Sequence, residues 1–266
     1  MLNAQQVEQF RTQGYLALPH FFTAREVAAL QAEIARFKQE GRLRNVATEG
    51  DGKTHSHSAT KANLQLIPLF DKSDLLRALP FEAKVTQAVG QLIGEPFVLH
   101  LDQMFLKPAH HGVGTSWHQD NAYFKIADPL KGTAMWIAAH DATLANGTLC
   151  VVPESYKEEY PHSRDPHSDH HIRCYPPEER ALPVELEAGG VVFFCYGTAH
   201  STGANNTDRE RAGIAFHFLR TDFIPEEARF LRTHLSGPEA TGGEKEYGTK
   251  VAGTWAREVE RVLIAT

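Results

Sequence analysis

The chain has 266 residues, of which 42% are hydrophobic, and its formal net charge is −6. This length and composition predict one large globular domain over residues 1–266 with a sizeable core. The acidic balance argues against a nucleic-acid partner, and no apolar run is long enough for a membrane span. The three cysteines, Cys150, Cys174 and Cys195, lack metal-type spacing and indicate reduced thiols in a cytoplasmic protein.

About residues 1–95 carry the signals of a mainly helical N-terminal layer. Two helix starts are marked by capping boxes, in which a polar residue is followed three positions later by Gln or Glu. A short apolar strand, 15–18, separates these helices, and one or two further helices are predicted over 75–93. The polar stretch 44–63 is interpreted as a loop or an active-site cover. The capping pairs are Asn3 with Gln6 and Thr23 with Glu26.

From about residue 96 the hydrophobic pattern changes from helical to strand-like. Short runs rich in β-branched and aromatic residues are separated by turn residues, and Ile214, Phe216 and Phe218 alternate on one face. Such a succession predicts a β-sandwich or barrel over 96–220 rather than alternating βαβ units. The last segment, 221–266, is predicted to end in a helix. The strand candidates are 97–106, 134–139, 147–153, 190–196 and 212–218.

The first chemical motif is the pair His118 and Asp120 in the run Trp117-His118-Gln119-Asp120. In an extended strand, residues two apart point to the same face, so this imidazole and carboxylate can hold one metal ion from one side. The pair alone is a weak signal, because His-x-Asp occurs by chance in many chains. A distant strand-like run supplies a second imidazole, His200. Two histidines with one carboxylate form the facial triad of non-haem Fe(II) oxygenases.

Such an oxygenase also needs a group that binds a dicarboxylate co-substrate. Arg211 lies at the head of the strand that follows His200, and a guanidinium can bind a carboxylate through two parallel hydrogen bonds. Thr202 can donate a third hydrogen bond. Taken alone, His200 fits a hydrogen-bonded or surface histidine better than a metal ligand. Arg211 also fits an exposed charge, although Arg209 is the better candidate for the surface.

In combination, these motifs resemble the phytanoyl-CoA dioxygenase family of Fe(II)- and 2-oxoglutarate-dependent oxygenases. The resemblance extends over about residues 5–220, and its motifs are much more specific together than singly. It implies a mainly β fold with helices: a double-stranded β-helix, that is a cupin-like jelly-roll barrel, with the N-terminal helices packed outside. The matching stretches are 117–120, 134–138, 141–147, 149–155 and 200–205, together with Arg211.

The resemblance implies an enzyme that hydroxylates a small molecule with O2 and releases succinate and CO2 from 2-oxoglutarate. It implies His118, Asp120 and His200 as iron ligands, and Arg211 with Thr202 on the distal carboxylate of 2-oxoglutarate. Halogenating relatives lack the carboxylate ligand, so the presence of Asp120 favours hydroxylation, while desaturation stays open. The further residues implied for the pocket are Trp136 and Gln103 as co-substrate contacts and Tyr123 near the metal and the substrate.

Two other functions stay open at this point: a non-catalytic jelly-roll that binds a ligand or metal, and a cupin-type metal enzyme that does not use 2-oxoglutarate. The substrate could be an acyl-CoA thioester, an amino-acid derivative or a secondary metabolite. The acidic net charge gives no support to a CoA ester, although Lys53, Lys61 and Lys107 offer local positive charge. The histidine-rich stretch 162–171 is interpreted as a lid over the site, with a second zinc site as the alternative.

Overall fold

The computed structural model of the protein describes residues 1–50 and 57–265. The capping boxes begin the first two helices as predicted, and Gly14 ends the first in the left-handed conformation, with φ of 81°. The stretch 75–93 forms two helices. The α-helices are α1 (Ala4–Gln13), α2 (Ala24–Gln39), α3 (Asp74–Ala78), α4 (Ala83–Ile93), α5 (Asn121–Phe124), α6 (Glu226–Arg229), α7 (Glu244–Tyr247) and α8 (Trp255–Ala265).

The strands begin early in the chain but concentrate in its middle, where all five predicted strand runs are found. The run at 147–153 is shorter than predicted. The strands are β1 (Tyr15–Leu18), β2 (Arg44–Asn45), β3 (Leu64–Leu66), β4 (Phe97–Lys107), β5 (Thr115–His118), β6 (Gly132–Ala138), β7 (Leu149–Val151), β8 (Ser163–Arg164), β9 (Ile172–Arg173), β10 (Leu182–Val184), β11 (Val191–Cys195), β12 (His200–Thr202), β13 (Arg211–Arg220) and β14 (Thr233–His234).

Two antiparallel sheets form the jelly-roll. The larger sheet has the order β1-β11-β6-β13-β4-β3-β2, and β14 also pairs with β4. The smaller sheet has the order β10-β7-β12-β5, and β8 pairs with β9 as a separate hairpin. Each central strand is flanked by strands distant in sequence, which is the non-local pairing expected of a jelly-roll. The predicted fold class is therefore confirmed.

The larger sheet is buried on both faces, and the two-residue alternation assigns each side chain to a face. Ile214, Phe216 and Phe218 point outward and join the hydrophobic cluster made with the helices, as their alternation predicts. Trp136 and Ala215 point inward and belong to the cluster between the two sheets. The outer face thus anchors the helices, while the inner face is left to build a cavity.

The outer cluster contains residues from all three predicted segments of the chain. Phe10 and Leu30 come from the N-terminal helices, Phe193 from β11, and Trp255 and Val259 from α8. Glu26 joins the same elements by polar contacts, since it caps α2 and accepts a hydrogen bond from Trp255 Nε1 at 2.5 Å. Within the described residues, no helix is long and apolar enough to cross a membrane.

Candidate metal centre

A cavity of about 230 Å³ lies between the two sheets. Its wall is formed by inward-facing residues of β4, β6, β11 and β13 on one side and of β5, β7 and β12 on the other. The structure therefore brings together residues that are far apart in the sequence. All eight site residues expected from the sequence line this cavity: His118, Asp120, His200, Arg211, Thr202, Trp136, Gln103 and Tyr123.

Three of these residues converge as a group that can ligate a metal. His118, Asp120 and His200 are buried, and one ligand atom from each lies within 4.8 Å of the other two. Asp120 Oδ1 is 3.7 Å from His118 Nε2 and 3.8 Å from His200 Nε2. In the described part of the chain, this is the one convergent group of three or more His, Cys, Asp or Glu residues.

The backbone that places Asp120 differs from the sequence prediction. Strand β5 ends at His118, and Asp120 has φ of −58° and ψ of −31° as the residue that precedes helix α5. The prediction that His118 and Asp120 lie on one extended strand is therefore wrong. The chain turns because Asn121 N–H donates to Tyr196 O at 2.7 Å, which starts the short helix. The helical turn still directs the carboxylate toward the histidines.

The two histidines are oriented by hydrogen bonds to the backbone. His118 and His200 are direct cross-strand partners on β5 and β12. His118 Nδ1 donates to Ser116 O at 2.8 Å, and His200 Nδ1 donates to Thr198 O at 2.9 Å. With the proton fixed on Nδ1, each Nε2 presents a lone pair toward Asp120. Burial, followed by the proximity of His118, lowers the pKa of His200 to about 3, so this imidazole is neutral near pH 7.

Asp120 carries the negative charge of the group. Burial works to raise its pKa, but the imidazoles of His200, His217 and His118 outweigh burial and hold the pKa below the ordinary value. Its Oδ2 atom is buried and lies 3.2 Å from His217 Nε2. An ionised carboxylate without a counter-charge is costly to bury. Two oriented imidazoles and this carboxylate form a donor set that fits Fe(II).

Arg211 lies deep in the cavity wall at the start of β13. Its side chain is 1% exposed, it donates a hydrogen bond to Gly147 O, and its Nε has no partner among the described residues. The guanidinium carbon lies 5.6 Å from the centre of the Trp136 ring. Burial lowers the pKa of Arg211 to about 10, so the group remains charged near pH 7. Arg209, in contrast, is exposed.

Lys107 is a second buried basic side chain, and its place in the site was not predicted from the sequence. Its Nζ donates to Thr202 Oγ1 at 2.7 Å and also to Gly203 O. Burial, and then the neighbouring Arg211, lower the pKa of Lys107 well below its ordinary value. The signal that could have found it is the alternation along β4, where Lys107 lies on the same face as Gln103.

Aromatic and amide side chains form a further part of the cavity wall, the aromatic half. Phe105, Tyr123 and Phe124 form apolar walls. Gln65 Nε2 donates to Gln103 Oε1 at 2.9 Å, so the two amides form a pair. This half therefore combines apolar surface with a few uncharged hydrogen-bonding groups, as small-molecule sites commonly do.

The histidine-rich stretch closes this half of the cavity. His170 and His171 line it, and the His171 ring stacks on that of His118 at 6.3 Å between centres. Tyr123 Oη accepts a hydrogen bond from Ile172 N at 2.9 Å, which ties the stretch to helix α5. Thr48 Oγ1 donates to Pro166 O at 2.7 Å, so the polar 44–63 segment contacts the stretch as well. The stretch therefore covers the cavity, as its interpretation as a lid requires.

One residue and one alternative site expected from the sequence find no support in the described residues. Lys53, offered as local positive charge, and the rest of 51–56 lie outside the described residues. The alternative of a second zinc site in 162–171 gains no support, since the convergent metal-ligating group found in the described residues lies elsewhere.

A jelly-roll with two histidines and one carboxylate in its cavity defines the class of non-haem iron oxygenases. The family model described as phytanoyl-CoA dioxygenase matches residues 10–213. The chain belongs to the phytanoyl-CoA dioxygenase family and is an Fe(II)- and 2-oxoglutarate-dependent dioxygenase.

Its relatives carry several names. An ectoine dioxygenase of Stutzerimonas stutzeri is 24% identical over 82% of this chain and 77% of its own length. Phytanoyl-CoA dioxygenase 1 of Oryza sativa subsp. japonica is 25% identical over 83% and 90%. Among solved structures, the carbocyclase SnoK from nogalamycin biosynthesis has a TM-score of 0.69 at 19% identity, covering 90% and 88% of the two chains. EctD from S. alaskensis has a TM-score of 0.67 at 20% identity, covering 91% and 82%.

Proposed function

We propose that His118, Asp120 and His200 bind the Fe(II) and that Arg211 binds the distal carboxylate of 2-oxoglutarate. The observation that carries this proposal is the convergence of the three donor atoms within 4.8 Å in the same cavity as a buried guanidinium. The buried Arg211 Nε atom has no partner among the described residues, which marks its end of the site as a place where a negatively charged ligand is needed.

When bound, Fe(II) with 2-oxoglutarate supplies the activation of O2 for oxygen transfer to the substrate. The protein supplies the geometry. His118, Asp120 and His200 would hold the metal through their three converging donor atoms. Arg211 and Lys107 offset the charge of a dicarboxylate, and Thr202 can hydrogen-bond to it. Two apolar side chains, Leu149 and Phe194, belong to the same wall and exclude water from it.

We propose that the substrate is a compact, uncharged molecule that offers a hydroxyl or carbonyl group. The aromatic half has Phe105 and Phe124 for apolar contact. The resemblance implies Gln103 as a co-substrate contact, but its amide is paired with Gln65, and we assign it to hydrogen bonding with the substrate instead. The lysine and arginine of the described cavity lining are Lys107 and Arg211, which are assigned to the co-substrate together with Thr202, the residue that Lys107 contacts. An acyl-CoA thioester would bring several negatively charged phosphate groups, and the described cavity lining has no further lysine or arginine to neutralise them.

The three free thiols and the shared core support two further proposals. Cys150, Cys174 and Cys195 are unpaired, which fits a reducing, cytoplasmic location. A hydrophobic cluster that includes residues from the N-terminal helices, the jelly-roll and α8 supports a single domain.

Succinate formation from 2-oxoglutarate and O2 tests the proposed function. The protein is loaded anaerobically with Fe(II) and compared with a His118→Ala variant. Three sets of compounds are then added: neutral cyclic alcohols and ketones, acyl-CoA thioesters, and free amino acids. We expect wild-type turnover that the variant lacks and that the neutral set stimulates. Stimulation by the thioesters alone would contradict the substrate proposal, and equal turnover by the variant would contradict the proposed ligands.

A further inference from the structure

The two oxygens of Asp120 face different partners. Oδ1 lies 3.7 and 3.8 Å from the Nε2 atoms of His118 and His200, so it is the oxygen turned to the proposed metal position. Oδ2 lies 3.2 Å from the Nε2 atom of a fourth residue, His217. His217 lines the cavity, yet neither metal binding nor co-substrate binding uses it in the proposed function.

His217 is held firmly by its surroundings. Its backbone lies in β13 between β4 and β6, and the residue is 3% exposed. The ring contacts Phe124 and Tyr196, with ring centres 5.8 and 6.1 Å away. Strand β13 pairs with β6 in regular register at His217, while on its other side β4 contributes one extra residue, His100, between the partners of His217 and Phe218.

The surroundings also decide which ring nitrogen carries the proton. His217 Nδ1 is buried and has no hydrogen-bond partner among the described residues. A proton on Nδ1 would therefore be an unsatisfied donor, and it would leave the Nε2 lone pair facing a carboxylate oxygen. A proton on Nε2 instead points a donor toward Asp120 Oδ2. The tautomer with the proton on Nε2 is the favoured one.

We propose that His217 is a positioning residue, which binds Asp120 Oδ2 and so keeps Asp120 Oδ1 turned toward the proposed metal position. The inference rests on the proposed function, because it assumes that His118, Asp120 and His200 would hold the metal. Without the N–H of His217, the carboxylate is free to rotate and to turn Oδ1 away from His118 and His200. A ligand that is no longer held in place would bind the metal more weakly. Removing a group that orients a metal ligand commonly weakens metal affinity by about 10- to 100-fold.

Two substitutions separate the hydrogen bond from simple packing. His217→Leu removes the N–H donor, and His217→Gln keeps an N–H donor at a similar reach from the backbone. The probe is Co(II), whose visible spectrum reports the number and arrangement of its ligands. We expect His217→Leu to bind Co(II) about 10- to 100-fold more weakly than wild type and to change the Co(II) spectrum in the presence of 2-oxoglutarate. We expect His217→Gln to restore both to nearly wild-type values.

Two controls make the result decisive. His100→Leu removes another imidazole that packs on Phe124 and Tyr196, with ring centres 4.4 and 5.9 Å away, and should leave Co(II) binding unchanged. His118→Ala should abolish the high-affinity site, and retention of that site would overturn the proposed function itself. If His118→Ala loses the site as expected, the affinities of His217→Leu and His217→Gln for Co(II) decide the inference. Equal affinities in these two variants would overturn it, whether both match the wild type or both are weaker by the same factor.

Discussion

Replacing Arg211 by Met tests whether this guanidinium binds the co-substrate. Arg211 is 1% exposed and its Nε has no partner in the described part of the structure, so a carboxylate meets a donor that is already desolvated. Losing one partner of a buried, hydrogen-bonded charge pair costs about 2–5 kcal/mol. We expect the lower part of this range, because a bound carboxylate favours the charged form of Lys107, which then supplies a second cation.

A loss of about 2–3 kcal/mol corresponds to 2-oxoglutarate binding that is about 30- to 140-fold weaker. Lys107→Met should cause a smaller loss, about 1.5 kcal/mol or roughly tenfold, comparable to one hydrogen bond to a charged group. The reason is that Lys107 Nζ already donates to Thr202 Oγ1 and Gly203 O, which leaves one proton for the co-substrate.

The assay is calorimetric titration of 2-oxoglutarate into Mn(II)-loaded protein without O2, with Mn(II) affinity measured separately for each variant. Arg209→Met is the matched control, because Arg209 is exposed two residues away on the same segment. Wild-type 2-oxoglutarate affinity in Arg211→Met, or an equal loss in Arg209→Met, would refute the assignment of the carboxylate site to Arg211.

Glu26 accepts hydrogen bonds from Lys84 and Trp255 and caps α2, so Glu26→Gln should lower the free energy of unfolding by about 1–3 kcal/mol in urea titrations. Burial acts to raise the pKa of Glu26, but these hydrogen bonds have the larger combined effect, so the pKa lies below its ordinary value of 4.5. The stabilisation by ionised Glu26 is therefore present above about pH 5 and is lost as the pH falls through its folded-state pKa. A difference in melting temperature between wild type and Glu26→Gln that stays constant down to about pH 3 would contradict this. A Cβ on Gly213 would lie 2.5 Å from Trp136 Nε1, so Gly213→Ala should displace the indole and weaken 2-oxoglutarate binding about 3- to 10-fold. Unchanged affinity in the same titration would show that Trp136 does not shape the co-substrate site.

Local patterns predicted the elements of the fold well. Asn3 with Gln6 and Thr23 with Glu26 start helices because their hydrogen bonds connect residues only three apart. The alternation through Phe216 predicted the helix-facing side of β13 because the strand period is a local property. The face opposite these residues then had to be the one that lines a cavity.

The detailed geometry of the site depends on contacts that no local pattern contains. Asp120 is helical because the backbone of Asn121 bonds to that of Tyr196, which is distant in the sequence. Gln119, between the two proposed ligands, donates to Glu158 O at 2.8 Å and to Gly197 O at 2.6 Å, which fixes the turn from both sides. An extended His-x-Asp strand was the expectation from sequence alone, and tertiary hydrogen bonds override it.

His217 and Lys107 show the same limit in a different way. Both lie on inward faces that the strand alternation identifies, so their direction was readable from the sequence. Their partners were not: His217 meets Asp120 across the cavity, and Lys107 meets Thr202 on the opposite sheet. Strand alternation gives a side chain's face, whereas the distance to a functional group requires the packing of the two sheets.

The most direct test of the metal site is an anaerobic titration of Fe(II) into the protein with 2-oxoglutarate, followed by the visible charge-transfer absorption of the Fe(II)–2-oxoglutarate complex. We expect one Fe(II) per chain and a distinct absorption band in the wild type. The band should be lost in His200→Ala and kept in His100→Leu. A wild-type protein without the band, or a His200→Ala variant that retains it, would contradict a site built from His118, Asp120 and His200.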